Sequence, residues 1–137
     1  MLITKCSKKS ENNGVQQRQN MVEWYHKLNK GIKMMFIKTD GMAANGTSLS
    51  NYVDCSFMDL INLFGEPTYT DPSNDDKVNI EWVLRSEDGD VATIYNWKDY
   101  DGGFKARTTE CYRWHVGSRN SMPALELVTF IAKKLGV

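Results

Sequence analysis

Residues 78–98 constrain the fold of this chain more than any other stretch of its sequence. Two apolar-rich segments of strand length flank Asp88-Gly89, a dipeptide that is typical of a tight β-hairpin turn. If these two residues form the turn, Trp82 lies opposite Tyr95 on the neighbouring strand. Opposite residues of a hairpin share one face of the ribbon. The sequence therefore predicts an antiparallel hairpin whose two faces differ in character.

The predicted register assigns each hairpin side chain to one of these faces. The large aromatic and apolar face contains Ile80, Trp82, Leu84, Thr93, Tyr95 and Trp97. The other face contains Glu81, Val83, Arg85, Ala92, Ile94, Asn96 and Lys98. A third strand over residues 111–116 adds Tyr112, Trp114 and Val116 to the aromatic face, and Cys111, Arg113 and His115 to the other.

Two further segments have the pattern of amphipathic helices. In residues 56–64, Ser56 and Asp59 have the spacing of a capping box, and Gly65 is suited to end the helix. A second helix is predicted to begin at Ser121 and to run close to the C-terminus. The predicted fold class is therefore α+β: a two-layer domain in which an antiparallel β-meander of three to five strands is covered on one face by two helices.

The distribution of charge divides the chain into two parts. Residues 1–33 contain seven Lys or Arg and two Asp or Glu, so they carry a net charge of +5, and residues 34–137 carry −5. We predict that residues 1–33 are a basic extension, disordered or partly helical, and that residues 34–137 form a single α+β domain. The sequence contains neither an apolar run long enough to span a bilayer nor the apolar core of a signal peptide, which predicts a cytoplasmic protein.

The familiar sequence motifs of enzymes and metal sites are missing. There is no phosphate-binding glycine loop, zinc-protease motif or serine-hydrolase motif. The three cysteines are far apart and lack metal-ligand spacing, which predicts neither a zinc site nor a disulfide framework. No nucleophile is placed beside His115 by spacing alone. The sequence thus predicts no enzyme, no catalytic residue, no metal and no cofactor.

The polar face of the predicted sheet is the candidate binding surface. Its members are Asn96, Lys98, Arg113 and His115 from the strands, with Tyr100 and Phe104 from the following loop. Hydrogen-bond donors beside stackable rings suit a nucleotide or an acidic protein. A solvated sheet face also carries polar residues when it binds nothing, so both interpretations stay open at this level.

Several short motifs together carry a resemblance to a known family. The runs G-T-S-L-S-N-Y-V, F-G-E-P-T, D-K-V-N-I-E-W, A-T-I-Y-N-W-K and W-H-V-G resemble a family of small, largely uncharacterised proteins encoded by tailed phages and prophages. The resemblance covers roughly residues 46–135 and leaves out the basic extension. It implies a phage context, and hence the cytoplasm of the host cell, but no particular chemistry.

Taken together, these features predict a small non-enzymatic phage accessory protein that binds a host component. Its target would be a host protein or a nucleotide-like signal molecule, which it would sequester in an anti-defence role. The alternative is a nucleic-acid-binding module that uses the basic residues of the segment 1–33 to contact phosphates. No membrane partner is predicted, and the free edges of the predicted sheet leave a homodimer open.

Overall fold

The computed structural model describes residues 2–4, 35–73 and 75–136. Its strands are β1 (Leu2–Thr4), β2 (Phe36–Lys38), β3 (Ser48–Cys55), β4 (Glu81–Ser86), β5 (Val91–Tyr95) and β6 (Tyr112–Ser118). Its helices are α1 (Phe57–Phe64), α2 (Phe104–Thr108) and α3 (Ser121–Leu135), and a 3-10 turn spans Gly41–Ala44. Within the described ranges, no helix combines the length and the apolar character that a bilayer crossing requires.

The strands form one sheet in the order β1-β3-β6-β5-β4-β2. Strand β1 runs parallel to β3, and all other neighbouring strands are antiparallel. We call the sheet face that packs against α1 and α3 the inner face, and the opposite one the outer face. The buried cluster of the inner face joins side chains of these helices to side chains of the strands. The predicted two-layer α+β fold is confirmed.

Two tryptophans occupy the centre of the inner face. Trp82 and Trp114 are both fully buried, and their rings meet edge to face with centroids 5.4 Å apart. Phe57, from the first turn of α1, lies 5.7 Å from the ring of Trp82. Burial of an aromatic side chain of this size stabilises a domain by about 1.5–3 kcal/mol. This contact fixes α1 over the middle of the sheet.

Helix α1 begins and ends as its sequence predicts. The Ser56 hydroxyl accepts a hydrogen bond from the Asp59 N–H, and the Asp59 carboxylate accepts one from the Ser56 N–H, each at 3.1 Å. Gly65 follows the helix with φ 81°, a value that favours glycine. Its carbonyl accepts a hydrogen bond from the Trp82 indole at 2.9 Å. The capping box is confirmed, and the helix end is tied directly to the core.

Helix α3 also forms, although its N-cap is Asn120 rather than the predicted Ser121. The Asn120 side chain accepts a hydrogen bond from the N–H of Met122. Asparagine and serine cap a helix equally well, which is why the sequence pattern left the boundary uncertain by one residue. The short helix α2 lies in a stretch that the sequence pattern predicts to be a loop.

The hairpin of β4 and β5 forms, but its register differs by one residue from the predicted one. Glu81, rather than Trp82, lies opposite Tyr95. The N–H of Gly89 donates to the carbonyl of Ser86 at 3.0 Å, and Gly89 has φ 89°. A turn followed by a left-handed glycine is the usual three-residue hairpin loop. Because side chains alternate along a strand, this shift moves every residue of β5 to the opposite face.

The predicted assignment of side chains to the two faces is therefore wrong for β5 and confirmed for β4 and β6. The inner face of β4 and β6 carries the buried residues Trp82, Leu84, Tyr112, Trp114 and Val116. Ile80, which directly precedes β4, is buried with them. Along β5 and just beyond it, the inner face receives Ala92, Ile94 and Asn96, and the outer face receives Thr93, Tyr95 and Trp97. The outer face is consequently far more aromatic than the sequence pattern suggests.

The first described residues belong to the sheet. Residues 2–4 form β1 and pair with Tyr52, Val53 and Asp54 of β3, so the prediction of a disordered or partly helical extension is wrong for this stretch. A strand whose partner is about fifty positions away leaves no local signal in the sequence. The remainder of the predicted extension, and with it most of its basic residues, lies outside the described residues.

Candidate functional site

One line of side chains crosses four strands on the outer face. Glu81 of β4 lies opposite Tyr95 of β5, Tyr95 lies opposite His115 of β6, and His115 lies opposite Tyr52 of β3. We call these four residues the outer row. Residues that are opposite in neighbouring strands have their Cβ atoms about 4.5–5.5 Å apart. The outer row is thus a continuous strip rather than a set of scattered positions.

The aromatic members of the outer row contact one another and Trp97. The ring of His115 lies 5.0 Å from that of Tyr52, 5.5 Å from that of Tyr95 and 6.1 Å from that of Trp97, measured between centroids. Tyr95 and Trp97 meet edge to face at 6.2 Å. Trp97 is 38% exposed, and the other three rings are partly exposed. His115 lies at the centre of this aromatic cluster.

Two cations flank the aromatic cluster. The Lys98 ammonium lies 5.5 Å from the centre of the Trp97 ring, and the Arg113 guanidinium lies 5.8 Å from that of Tyr52. Arg113 is also held by Asp54, with Nε–Oδ1 3.0 Å and Nη2–Oδ2 3.2 Å. A two-pronged pair of this geometry fixes the guanidinium plane. The result is a patch of rings bordered by positive charge.

The 3-10 turn covers the neighbouring part of the outer face and leaves the outer row accessible. This turn packs on β4 and β5, where Val83 and Thr93 are buried. The Arg119 guanidinium donates to the carbonyls of Ala43 and Asn45 at 2.9 and 3.0 Å. Two hydrogen bonds from one guanidinium to carbonyls two residues apart hold the turn in place. The boundary between covered and accessible surface therefore runs along the outer row.

Partial burial shifts the pKa values of three side chains of the outer row. Desolvation lowers the pKa of His115 below its ordinary value of 6.5; Asp99 opposes this shift, and Arg113 adds to it. Desolvation also raises the pKa of Tyr95 and that of Glu81. The Nδ1 atom of His115 is buried and has no hydrogen-bond partner among the described residues. At neutral pH the centre of the cluster is an uncharged imidazole.

This environment predicts a pH dependence. Because the folded-state pKa of His115 lies below 6.5, the unfolded chain binds this proton more tightly than the folded chain. The contribution of His115 to the free energy of unfolding should therefore decrease as the pH falls below about 6.5, and level off below the folded-state pKa. NMR titration of the imidazole should give a midpoint below 6.5. His115→Gln serves as the control, and a midpoint at or above the ordinary value would contradict the burial argument.

The structure brings together three of the predicted site residues. Lys98, Arg113 and His115 lie in or beside the aromatic cluster. Tyr100 and Phe104 are 54% and 68% exposed, but among the described residues no ring contact joins them to the cluster. Phe104 begins α2, which packs against α1 on the helical side of the sheet. Whether any of these residues contacts a partner stays a prediction.

The prediction that Asn96 lies on the exposed face is wrong. Asn96 is 0% exposed, because the shifted register turns it toward the inner face. Its Oδ1 accepts hydrogen bonds from the N–H groups of Asn79 and Ile80 at 2.7 and 2.9 Å. Its Nδ2 donates to Asn79 Oδ1 and to Asp99 Oδ2. Asn96 thus organises the loops at the ends of β4 and β5.

Asp99 extends this buried network to β6. Its carboxylate accepts a hydrogen bond from the Tyr112 hydroxyl at 2.5 Å, and burial together with this bond raises the pKa of Tyr112. On either side of Asp99, Lys98 and Tyr100 have φ values of 57° and 54°, which are uncommon for residues other than glycine. The left-handed backbone at Lys98 breaks the alternation of the strand. The network therefore fixes the residue at which the backbone leaves the strand conformation and the Lys98 side chain lies over the Trp97 ring.

The sequence interpretation missed the aromatic part of the cluster. A two-residue turn at Asp88-Gly89 assigns Tyr95 and Trp97 to the face of Trp82, which is the face that the helices cover. Tyr52 lies in a stretch whose pattern fits a short edge strand or the approach to a helix, whereas β3 is eight residues long and is paired on both sides. A hairpin loop of three residues that ends at Gly89 would have assigned Tyr95 and Trp97 to the outer face.

The described residues contain no group of three or more His, Cys, Asp or Glu side chains arranged to hold a metal ion. Cys55 is buried and is not part of a disulfide. Cys111 is disulfide-bonded, so the expectation of no disulfide is wrong at this position; spacing in the sequence does not reveal spatial proximity.

Comparison of the chain with models of protein families, with curated proteins and with solved structures found no match in any of the three. The resemblance to tailed-phage and prophage proteins therefore stays a prediction that rests on short motifs.

Proposed function

We propose that this chain is a non-enzymatic binding protein, and that the outer row with Trp97, Lys98 and Arg113 forms the contact surface for a protein partner. The observation that carries the proposal is the contiguous, partly exposed cluster of four rings, with His115 at its centre. Tyrosine, tryptophan and arginine dominate the energetic centres of protein interfaces. Three of the four rings are held on strands and Trp97 lies two residues past the end of β5, so little conformational entropy is lost on binding.

The charges favour a protein over a nucleotide as the ligand. The Nε and Nη2 groups of Arg113 already donate to Asp54, so one of the two edges through which the guanidinium could grip a phosphate is occupied. The Asp54 carboxylate and the partly buried Glu81 lie along the same strip. A phosphate bound at either end of the strip would therefore meet one of these carboxylates. A mixed apolar and polar protein surface meets no such repulsion.

The sequence resemblance suggests a biological setting for this activity. A phage accessory protein would use such a surface to sequester a host protein, with an anti-defence role as the specific form of the proposal. The alternative function as a nucleic-acid-binding module depends on basic residues of the segment 1–33 that lie outside the described residues.

The proposal is tested by affinity capture from bacterial lysate with three baits. These are the wild-type chain, the double variant Tyr95→Ala/Trp97→Ala, and the control Met58→Ala, which alters a 56% exposed side chain on α1. We expect one protein to be retained by the wild-type and control baits and lost from the double variant. Binding of that purified protein to the double variant should be weaker by at least about tenfold, or 1.4 kcal/mol.

Three results would contradict the proposal. Equal capture of the partner by all three baits would place the binding surface elsewhere on the molecule. A nucleotide that co-purifies with the wild-type chain in native mass spectra, and is lost from the double variant, would assign the cluster to a small molecule. Nucleic-acid binding that weakens steeply with salt and survives in the double variant would favour the basic segment instead.

A further inference from the structure

The β2 edge of the sheet is a second surface, separate from the outer row and independent of the function proposed above. β2 pairs with β4 on one side, and no described strand pairs with its other side. Ile37 and Met35 are 57% and 36% exposed. With hairpin residues 85–89 they line a surface cleft of about 470 Å³. Natural proteins usually cover, shorten or pair an exposed edge of this kind.

The register of β2 determines which backbone groups point outward. The N–H of Thr39 donates to the carbonyl of Val83 at 2.9 Å. Backbone groups alternate in direction along an antiparallel strand, so Ile37 also bonds toward β4. The N–H and C=O groups of Phe36 and Lys38 therefore point away from the sheet. These four groups form a short donor and acceptor array that is symmetric about Ile37.

We propose that two copies of this chain pair through β2, antiparallel and edge to edge, about a two-fold axis that passes beside Ile37. In this register Phe36 of each copy lies opposite Lys38 of the other, and every outward N–H meets an outward carbonyl. Ile37 lies opposite its own counterpart at a non-hydrogen-bonded position, where the Cα atoms are about 4.5 Å apart. The interface is isologous and closed, so the product is a dimer and not a fibre.

Three features make a second copy the occupant. The backbone array is complementary to itself, because the same two residues supply the donors and the acceptors. The exposed apolar side chains line a cleft on the same edge, so each copy offers apolar surface to the other. The ammonium of Lys38 donates to the Glu66 carbonyl of its own copy at 2.8 Å and keeps its charge. The register places this charge on the side where the partner's acidic turn lies, with its Glu87, Asp88 and Asp90.

Charge substitution at the symmetry axis tests the proposal. Ile37→Glu and Ile37→Lys each place two like charges directly opposite one another, and Ile37 is exposed enough for the monomer to tolerate them. Sedimentation equilibrium should show a dimer for the wild-type chain and a monomer for each variant. An equimolar mixture of the two variants should return to the dimer mass, since opposite charges then meet. Thermal unfolding confirms that both variants are folded.

A cysteine at the same position provides a second measurement. The expected Cα separation lies within the range of about 4.4–6.8 Å that a disulfide spans. Ile37→Cys should therefore form a covalent dimer under mild oxidation, and thiol reductant should reverse it. Met42→Cys, at a 72% exposed position on the 3-10 turn, is the matched control and should not cross-link at the same protein concentration.

Two results would overturn the proposal. A wild-type monomer at high concentration would exclude the dimer, and protected Phe36 and Lys38 amides in that monomer would assign the edge to another part of the same chain. A dimer that persists in both charge variants would use a different surface. Loss of partner capture with an intact dimer, or the reverse, separates this proposal from the one for the outer row.

Discussion

Replacement of Trp114 by alanine is expected to lower the free energy of unfolding by about 3–5 kcal/mol. Trp114 is fully buried, and its ring contacts Tyr112 at 4.7 Å and Trp82 at 5.4 Å between centroids. Its indole N–H donates to the carbonyl of Cys55 at 3.0 Å. The alanine variant loses these ring contacts, opens a cavity between sheet and helices, and leaves a buried carbonyl without its donor.

Urea unfolding provides the measurement, and two further variants separate the causes. Trp114→Phe retains a ring but loses the N–H, so we expect a smaller loss of about 1–3 kcal/mol. Trp97→Ala removes a tryptophan from the outer face, where it is 38% exposed, and should cost about 1 kcal/mol or less. If Trp97→Ala destabilised the fold as strongly as Trp114→Ala, the assignment of these two residues to opposite faces would be wrong.

Replacement of Asn96 by alanine is expected to cost about 2–5 kcal/mol, although only a small polar side chain is lost. The variant leaves the N–H groups of Asn79 and Ile80 without their acceptor in a buried site. It also removes one donor to Asp99. Because Asn96 is buried, the change should appear first in the urea unfolding midpoint. A variant of wild-type stability that has lost partner binding would restore the original interpretation of Asn96 as a contact residue.

The isosteric variant Asn96→Asp tests the network more finely. Its carboxylate is still able to accept hydrogen bonds from both backbone N–H groups, but it cannot donate to Asn79 or Asp99. A second carboxylate beside Asp99 should destabilise the fold at pH 7 through like-charge repulsion. Lowering the pH to about 5 should recover part of this loss, because one carboxyl group of the pair then takes up a proton. A loss that is independent of pH would contradict the proximity of the two side chains.

The elements that the sequence predicts correctly are those with strong local chemistry. The capping box at Ser56 and Asp59 marks helix α1 within a residue. Tyr112, Trp114 and Val116 alternate with polar neighbours, and this alternation assigns the side chains of β6 to the correct faces of the sheet. In both cases the signal lies within a few residues of the element itself, so no knowledge of the tertiary structure is needed.

The register of β5 could not be predicted in the same way. Val91, Ala92, Thr93 and Ile94 are all at most 7% exposed, because helices cover one side of β5 and the 3-10 turn packs against the other. A strand that is buried on both faces shows no alternation of polar and apolar residues, so neither register is favoured by pattern. Asp88-Gly89 suits loops of either two or three residues. Only the tertiary contacts select the three-residue loop.

The candidate site combines residues whose positions the sequence predicts with residues whose positions it does not. Arg113 and His115 were placed on the outer face because β6 alternates clearly, whereas Tyr95 and Trp97 were hidden by the uncertain turn. Lys98 reaches the outer face by a different route, since its left-handed backbone directs its ammonium over the Trp97 ring. Tyr52 lies beside His115 only because β3 pairs with β6, and these two strands are distant in the sequence. Long-range pairing is the information that a single sequence does not carry.

The strand order also has a consequence for the kinetics of folding. The β4–β5 hairpin closes through a three-residue loop, and β6 joins it after a short intervening segment. The β3–β6 ladder instead joins residues about sixty positions apart, and closing so long a loop costs entropy before any contact repays it. We therefore expect the hairpin and β6 to assemble first, with β3 docking late and setting the refolding rate.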